Sequence, residues 1–242
     1  RKDKTQVLKL DGTISIIVGD SRDGWGTAVT EFLKYMSYEI DHDYKNIRMV
    51  FNNIRPGGEP LRTFGGYSSG AEPFIQSIKK MHEVVTGDYL DSHGNILTKA
   101  PIDGKLRPIH MMHIANSIAE AIVVGGVRRS AMISLSDLDD ENIRDAKQGQ
   151  FYNTEPQRSL ANNSAVYLKK PTNKEFLSEW IALIKSGSGE RGIFNRGSLI
   201  KTMPKRRVDL LRENKGYFDI SGNFIIGQMG TNPCGEIILQ SK

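Results

Sequence analysis

Apolar residues recur along the chain at two alternating spacings, and this alternation predicts an α/β fold. Residues 14–18 form a β-branched run typical of a strand, and residues 24–38 place apolar side chains at helical spacing. Further strands are predicted at 47–51, 130–135, 163–168 and 193–195, and further helices at 71–85, 109–124, 139–148 and 174–185. Repeated strand-helix steps predict parallel β-α units, arranged in a barrel or in a doubly wound sheet.

Three stretches interrupt this rhythm. Residues 55–70 are rich in glycine and predict a loop between a strand and a helix. Residues 86–104 contain several turn signals and predict an exposed excursion. Residues 205–230 follow neither spacing and suggest an insertion or a hairpin.

The composition indicates a folded chain and excludes several classes of protein. Hydrophobic residues make up 38% and charged residues 25% of the 242 residues, which argues against disorder. No apolar run approaches the roughly 20 residues that span a bilayer, so we expect a cytoplasmic protein without a membrane partner. The 33 basic and 28 acidic residues leave a net charge of +5, which is modest for this length. Charge by itself therefore does not indicate nucleic-acid binding, and we expect no nucleic-acid partner.

The single cysteine, Cys234, lies in a segment that combines an amide, a thiol and a carboxylate. It cannot form an internal disulfide or a cysteine-rich zinc site, so it is either a buried small hydrophobe or a functional thiol. In the sequence TNPCGEI at 231–237, the side chains of Asn232, Cys234 and Glu236 could converge on a small ligand from the tip of a loop. A surface turn with a buried cysteine is the alternative.

This motif and four other segments resemble adenosylcobalamin-dependent (class II) ribonucleotide reductases. NPCGE is similar to the finger-loop motif of that family. The other segments occur in family order and run through nearly the whole chain: DSRDGW at 20–25, FNNIRP at 51–56 with FGGYSSG at 64–70, GVRRSA at 126–131, and LANNSAV at 160–166. The match is poorest at 86–107 and 205–230, which we expect to be variable excursions. DSRDGW is most similar to the monomeric ribonucleoside-triphosphate reductases, so triphosphate substrates are favoured over diphosphates.

The resemblance implies a fold and a radical mechanism. Residues 1–242 would form part of a ten-stranded α/β barrel whose central finger loop carries Cys234. In the family, cobalt–carbon homolysis in adenosylcobalamin produces a thiyl radical on this cysteine, and the radical abstracts the ribose 3′ hydrogen. Glu236 matches the carboxylate that takes the 3′-hydroxyl proton, and Asn232 matches the amide that hydrogen-bonds the ribose.

The resemblance also implies a regulatory nucleotide site. Gly126, Arg128, Arg129 and Ser130 match the specificity loop through which a bound deoxynucleotide effector selects the substrate base. A helix end followed by a solvated basic turn is the alternative interpretation. Ser68, Ser69 and Gly70 precede a predicted helix and are candidates for a phosphate or nucleotide contact, although an ordinary helix cap is an equal alternative.

The chain has fewer thiols than the implied reaction needs. The family uses a cysteine pair beside the ribose and a second, mobile pair that regenerates it, and neither pair is present. We therefore expect a central catalytic segment that needs complementary segments of the same enzyme, a thioredoxin-type reductant and cobalamin-binding surface from outside residues 1–242. The alternative is a catalytically incomplete fragment that binds nucleotides or takes part in assembly.

Four other conspicuous residues are interpreted as structural. His110 and His113 lie one helical turn apart without a third ligand in the pattern, so we interpret them as solvated or core histidines and expect no metal site there. Trp25 and Trp180 lie at helical spacing among apolar neighbours and are expected in the core.

Overall fold

The structure is a computed structural model, and it describes most of the chain. The described residues are 2–36, 46–61, 65–87, 105–122 and 131–213, together with 219, 221–222, 225 and 229–231. The chain divides into two compact units. The first comprises residues 1–106 and 117–130, and the second comprises residues 107–116 and 131–242.

The first unit contains a three-stranded sheet in the order β1-β2-β3. Its strands are β1 (Gln6–Leu10), β2 (Thr13–Ile17) and β3 (Asn46–Val50). β1 and β2 are antiparallel, whereas β2 and β3 are parallel, with Thr13 opposite Asn46 and Ile17 opposite Val50. Helix α1 (Arg22–Met36) lies between β2 and β3 in sequence, and α2 (Glu72–Thr86) follows β3.

Apolar side chains from the sheet and the two helices form the core of the first unit. Alternate residues of the β2 region, Ile14, Ile16 and Val18, are almost fully buried, as the strand period requires. The ring of Trp25 in α1 stacks on the buried ring of Phe74 in α2, with 4.5 Å between centroids. Trp25 itself is half-buried, so it packs against this core without being enclosed in it, and its predicted place in the core is confirmed only in part.

The second unit contains a three-stranded parallel sheet in the order β4-β5-β6. Its strands are β4 (Met132–Ser136), β5 (Ala161–Val166) and β6 (Gly192–Phe194). Helix α3 (Pro108–Ala121) precedes β4, and its first nine residues belong to this unit. The remaining helices are α4 (Glu141–Asp145), α5 (Phe151–Thr154), α6 (Asn173–Ser186), α7 (Leu199–Thr202) and α8 (Lys205–Glu213), with 3-10 turns at Pro156–Leu160 and Arg196–Ser198.

The predicted α/β class is confirmed, and three details differ from expectation. The helix predicted at 139–148 is limited to Glu141–Asp145, because Asp140 caps it at one end and a turn follows at the other. Residues 205–213 form helix α8, so this part of the predicted excursion is not a hairpin. Trp180 is 46% exposed on α6, so its assignment to the core is wrong. The described residues form two separate three-stranded sheets, and a ten-stranded barrel remains a prediction.

Candidate functional site

In the first unit, an ion pair joins the carboxyl end of β2 to the glycine-rich loop. Asp20 follows β2 and is 7% exposed. Its carboxylate accepts a hydrogen bond from the Nε of Arg55 at 2.9 Å and a second from the Arg55 backbone N–H at 3.3 Å. Because the carboxyl ends of parallel strands are the usual position of ligand sites in α/β proteins, this pair holds the loop where a ligand would bind.

The glycine-rich loop folds back on itself through its backbone. The Gly58 N–H donates to the Ser68 carbonyl, and the Ser68 N–H donates to the Glu59 carbonyl. Gly70 has a φ of +73°, and a Cβ on it would lie 3.0 Å from the Gly57 nitrogen. A side chain at residue 70 would therefore strain the turn and press against the opposite strand of the loop.

Two of the three predicted phosphate-contact residues use their hydroxyls inside this loop. The Ser68 Oγ accepts from the Gly70 N–H at 3.0 Å, and the Ser69 Oγ donates to the Gly70 carbonyl at 3.3 Å. Neither hydroxyl caps α2, whose N-cap residue Ala71 provides no side-chain hydrogen bond. The interpretation of these serines as an ordinary helix cap is therefore wrong, and a phosphate contact by Ser68, Ser69 and Gly70 stays a prediction.

In the second unit, a cavity of about 640 Å³ follows β4 to its carboxyl end. Met111 and Met112 of α3 contribute to its apolar wall. The polar groups come from residues after the strands, including Asp137, Asp140 and Arg196. An apolar wall with a few charged groups at one end is typical of a small-molecule site, so this cavity is the candidate ligand site of the second unit.

A buried arginine holds the loop that borders this cavity. The side chain of Arg191 is 1% exposed and makes a bidentate ion pair with Glu179 of α6, at 2.8 Å for both contacts. Its guanidinium also donates to the Ser136 hydroxyl and to three backbone carbonyls of the β4–α4 loop, those of Asp137, Leu138 and Asp140. All three guanidinium nitrogens donate hydrogen bonds to protein groups. Arg191 therefore fixes this loop rather than contacting a ligand.

A second buried pair lies beside the ANNSA segment of β5. Lys147, which is 5% exposed, forms an ion pair with Glu190 at 2.8 Å and donates to the Ala161 carbonyl. Glu190 also accepts a hydrogen bond from the Asn163 backbone N–H at 2.9 Å. The backbone of the motif at 160–166 is thus bound at two points, the Ala161 carbonyl by Lys147 and the Asn163 N–H by Glu190.

Burial shifts the proton affinity of one phenol in this unit. Tyr167, directly after β5, is 4% exposed, and its hydroxyl has no hydrogen-bond partner among the described residues. Desolvation raises the pKa of Tyr167 above its ordinary value of 10.0, because a phenolate would be buried without compensation.

The two histidines of α3 are core residues, which the sequence left open against a solvated position. His110 and His113 are 1% and 0% exposed. The His110 Nδ1 accepts from the Arg107 N–H at 2.9 Å, and the His113 Nε2 accepts from the Arg158 Nε at 3.0 Å. No group of three or more metal-ligating side chains occurs among the residues that the structure describes.

Most of the predicted catalytic and effector residues lie outside the described residues. These are Asn232, Cys234 and Glu236 of the finger-loop motif, and Gly126, Arg128, Arg129 and Ser130 of the proposed specificity loop. Gly230, four residues before Cys234 in sequence, lies beside β4, since a Cβ on it would be 3.6 Å from the Leu135 Cδ1. Leu135 also lines the cavity of the second unit.

Sequence reasoning missed the two residues that organise the second unit, Glu190 and Arg191. A signal was available, because these adjacent charges stand between glycines directly before the apolar run of β6. Charges next to a buried strand are rarely left unpaired, so ion-pair partners could have been expected. Only the fold shows that these partners are Lys147 and Glu179.

No helix in the described parts of the chain is long and apolar enough to cross a membrane.

Comparison with known proteins gives consistent matches. Residues 1–85 match the family model of the insertion domain of B12-dependent ribonucleotide reductases. A crystal structure of a B12-dependent (class II) ribonucleotide reductase superposes on 96% of this chain and 28% of its own, with a TM-score of 0.64 and 26% identity. The fold and the motifs therefore place the chain among relatives of the class II ribonucleotide reductases, and the resemblance inferred from the sequence is confirmed.

Within that class, the relatives that align along nearly the whole chain are adenosylcobalamin-dependent ribonucleoside-triphosphate reductases. The enzyme of Lactobacillus delbrueckii subsp. bulgaricus is 29% identical over 98% of this chain and 28% of its own length. That of Lacticaseibacillus paracasei is 31% identical over 91% of this chain and 26% of its own length. The chain thus spans little more than a quarter of the reductases that it matches.

Proposed function

We propose that this chain is a catalytic segment of an adenosylcobalamin-dependent ribonucleotide reductase, with ribonucleoside triphosphates as substrates. The observation that carries the proposal is the alignment of 98% of the chain with a ribonucleoside-triphosphate reductase. The family-like motif NPCGE lies inside the aligned region and supplies the residue types that the reaction needs.

Three residues of the motif would divide the chemistry. A thiyl radical on Cys234 takes a hydrogen atom from the ribose C3′, which restores the thiol and leaves a carbon radical on the sugar. The Glu236 carboxylate accepts the 3′-hydroxyl proton, and the 2′-hydroxyl, after gaining a proton, leaves as water. Asn232 orients the ribose through a neutral hydrogen bond that does not compete for the proton. Two electrons and two protons must come from a dithiol, which is oxidised to a disulfide and which this chain, with one cysteine, does not contain.

The two buried histidines of the described residues do not fit a cobalt site. His110 and His113, the described histidines of α3, are enclosed in the core and hydrogen-bonded, so neither is available as a cobalt ligand. We assign most of the cobalamin contacts to polypeptide outside residues 1–242 and derive no step through the cofactor. The resemblance assigns to adenosylcobalamin the generation of the radical on Cys234.

The specificity-loop resemblance supports a deoxynucleotide effector as regulator. Gly126 provides backbone freedom, and Arg128 and Arg129 provide guanidinium groups that can bind a base edge or a phosphate, with Ser130 beside them. Replacing both arginines with glutamine should weaken effector binding without abolishing substrate reduction. Unchanged effector affinity in that variant would overturn the assignment.

Complementation tests the catalytic proposal. The chain is mixed with the segments encoded on either side of residues 1–242, with adenosylcobalamin, a thiol reductant and a ribonucleoside triphosphate, and deoxynucleotide formation is measured. Cys234→Ser should abolish the product. Glu236→Gln should lower the rate by roughly 10²–10⁴-fold, because general-base assistance is lost. Glu213→Gln, at an exposed position of α8, is the matched control and should retain the rate.

Two results would contradict the proposal. Activity that survives Cys234→Ser removes the radical role, and a near wild-type rate for Glu236→Gln removes the base. Nucleotide binding without turnover, together with adjoining coding sequence that lacks cysteines at the family positions, would instead favour the incomplete nucleotide-binding or assembly fragment. The single cysteine of the chain is the observation that favours this second candidate.

A further inference from the structure

Residues 2–5 lie across the turn between β2 and α1 and form a segment that we call the strap. The Asp20 N–H donates to the Lys2 carbonyl at 2.9 Å, and the Ser21 hydroxyl donates to the Asp3 carbonyl at 2.6 Å. The backbone of the strap is therefore bound to the residues that follow β2.

One hydroxyl of the strap joins both sides of this turn. The Thr5 Oγ1 accepts from the Gly19 N–H at 2.9 Å and donates to the Gly24 carbonyl at 2.6 Å. Because a single side chain makes both hydrogen bonds, one substitution that removes only this hydroxyl breaks both of them.

Two glycines allow the strap to lie this close to the turn. A Cβ on Gly19 would overlap the Asp3 carbonyl, and a Cβ on Gly24 would lie 2.6 Å from the same oxygen. A side chain at either position would displace the strap, so the close contact depends on glycine at both.

Asp20 connects the turn under the strap to the glycine-rich loop. Its side chain is 6% exposed, and its carboxylate accepts from both the Nε and the backbone N–H of Arg55, which begins the loop. The strap binds the backbone of the same aspartate through the Lys2 carbonyl. A shift of the turn away from the strap therefore moves the carboxylate that fixes the start of the loop.

Beyond Arg55, the loop is closed by hydrogen bonds between its own backbone groups. The Gly58 N–H donates to the Ser68 carbonyl, and the Ser68 N–H donates to the Glu59 carbonyl. These two amides are protected only while the loop is closed, so their exchange with solvent reports its opening.

We propose that the strap is a conformational latch for the glycine-rich loop. With the strap bound, Thr5 and the Lys2 carbonyl hold the turn, Asp20 holds Arg55, and the loop stays closed. When the strap leaves the turn, the ion pair loses its fixed position and the loop opens more often, while the sheet of the first unit stays intact. The latch thus controls the segment in which the sequence predicts a phosphate contact, and its test requires no turnover.

Amide hydrogen exchange of the chain tests the latch. Thr5→Val removes the hydroxyl with little change in shape, and it should speed exchange of the Gly58 and Ser68 amides roughly 10-fold, because two hydrogen bonds of the strap are lost. Thr5→Ser keeps a hydroxyl and should exchange like the wild type. Thr27→Val is the matched control, since it removes a hydroxyl from an exposed position of α1 outside the strap, and it should also leave the loop amides unchanged.

A double variant tests whether the effect passes through the ion pair. Arg55→Met cuts the connection between the turn and the loop, so adding Thr5→Val to it should not speed exchange of the loop amides further. The amide of Ile16, a fully buried residue of the central strand β2, reports unfolding of the whole unit and should keep its rate in Thr5→Val.

Three results would overturn the latch. The first is unchanged exchange of the loop amides in Thr5→Val, and the second is an equal effect of Thr5→Val with and without Arg55→Met. The third is equal acceleration at Ile16 and in the loop, which would show that the strap stabilises the unit as a whole. None of these measurements depends on ribonucleotide reduction, so the latch and the catalytic proposal fail independently of each other.

Discussion

The two units differ in how much buried ion pairs add to their apolar cores. In the first, two helices cover a sheet whose inner residues are aliphatic, and the stacked rings of Trp25 and Phe74 lie between the helices. In the second, charged side chains occupy buried positions, with Arg191 paired to Glu179 and Lys147 paired to Glu190, while the large apolar residues of α6 face outward.

This difference shows that apolar composition does not by itself determine where a core forms. α1 and α6 have similar lengths and apolar content, but only α1 has residues that are buried in its own unit. The second unit has an apolar core around Ile109, Met112 and Ile143, but it adds buried ion pairs and leaves the large apolar residues of α6 outside. Removing one partner of such a pair lowers the free energy of unfolding strongly, because it leaves an uncompensated buried charge.

The largest effect is expected from Arg191→Met in the second unit. The substitution leaves Glu179 buried without its partner and removes the donor from three loop carbonyls. We expect a loss of about 5 kcal/mol in the free energy of unfolding, at the upper end for a broken buried pair. Urea denaturation followed by Trp180 fluorescence in a Trp25→Phe background measures it. The double variant with Glu179→Met should recover only the part of the loss that comes from the unpaired carboxylate, because the three loop carbonyls still lack their donor. A single-variant loss below about 1 kcal/mol would contradict the ion-pair account.

A smaller loss is expected from Phe74→Ala in the first unit. Phe74 is 2% exposed and packs against Trp25, so the truncation leaves a cavity in an apolar core. We expect a loss of about 4 kcal/mol, measured by Trp25 fluorescence in a Trp180→Phe background. Ile75→Ala, at a half-buried position of the same helix, is the control and should cost less. An equal cost at both positions would show that the ring pair is not the centre of this core.

Removal of the capping box should have a moderate effect confined to α6. Thr172→Ala should cost about 1 kcal/mol, because the side chain no longer accepts from the Glu175 N–H. Hydrogen bonds from the Thr172 backbone and hydroxyl lower the pKa of Glu175 below its ordinary value of 4.5. Their stabilising contribution is present above pH 4.5 and disappears as the pH falls through the lowered pKa. Helicity measured between pH 2 and 7 should fall in the wild type as Glu175 becomes protonated. Thr172→Ala should show a smaller fall, because the hydroxyl hydrogen bond is already missing.

The smallest effect at neutral pH is expected from Tyr167→Phe. The buried hydroxyl lacks a partner among the described residues, so its removal should change stability by less than about 1 kcal/mol. Above pH 10.0 the unfolded phenol ionises while the folded one, whose pKa is raised by burial, keeps its proton. Stability of the wild type should therefore fall as the pH rises beyond that value, and Tyr167→Phe should lose less. Identical alkaline profiles would show that another group causes the decline.

Local patterns predicted most helices and strands, and one strand was missed despite a usable signal. Asp11 and Gly12 have φ values of 48° and 70° in the turn between β1 and β2. Asp-Gly between two apolar runs is a strong indication of a hairpin, so the antiparallel strand β1 could have been predicted. The long excursion at 205–230 was harder, because the charged run of α8 has little apolar periodicity in its first turn.

The sequence by itself determined the order of the β-α units, the ends of α6 and the family resemblance of the cysteine motif. These depend on residues close together in the chain, such as Thr172 with Glu175, where spacing alone sets the contact. Only the tertiary structure decided that Trp180 faces outward, that Arg191 reaches Glu179 and the β4–α4 loop, and that Gly230 passes beside Leu135. The physical reason is that helical periodicity indicates which residues share a face, whereas the direction of that face depends on partners distant in sequence.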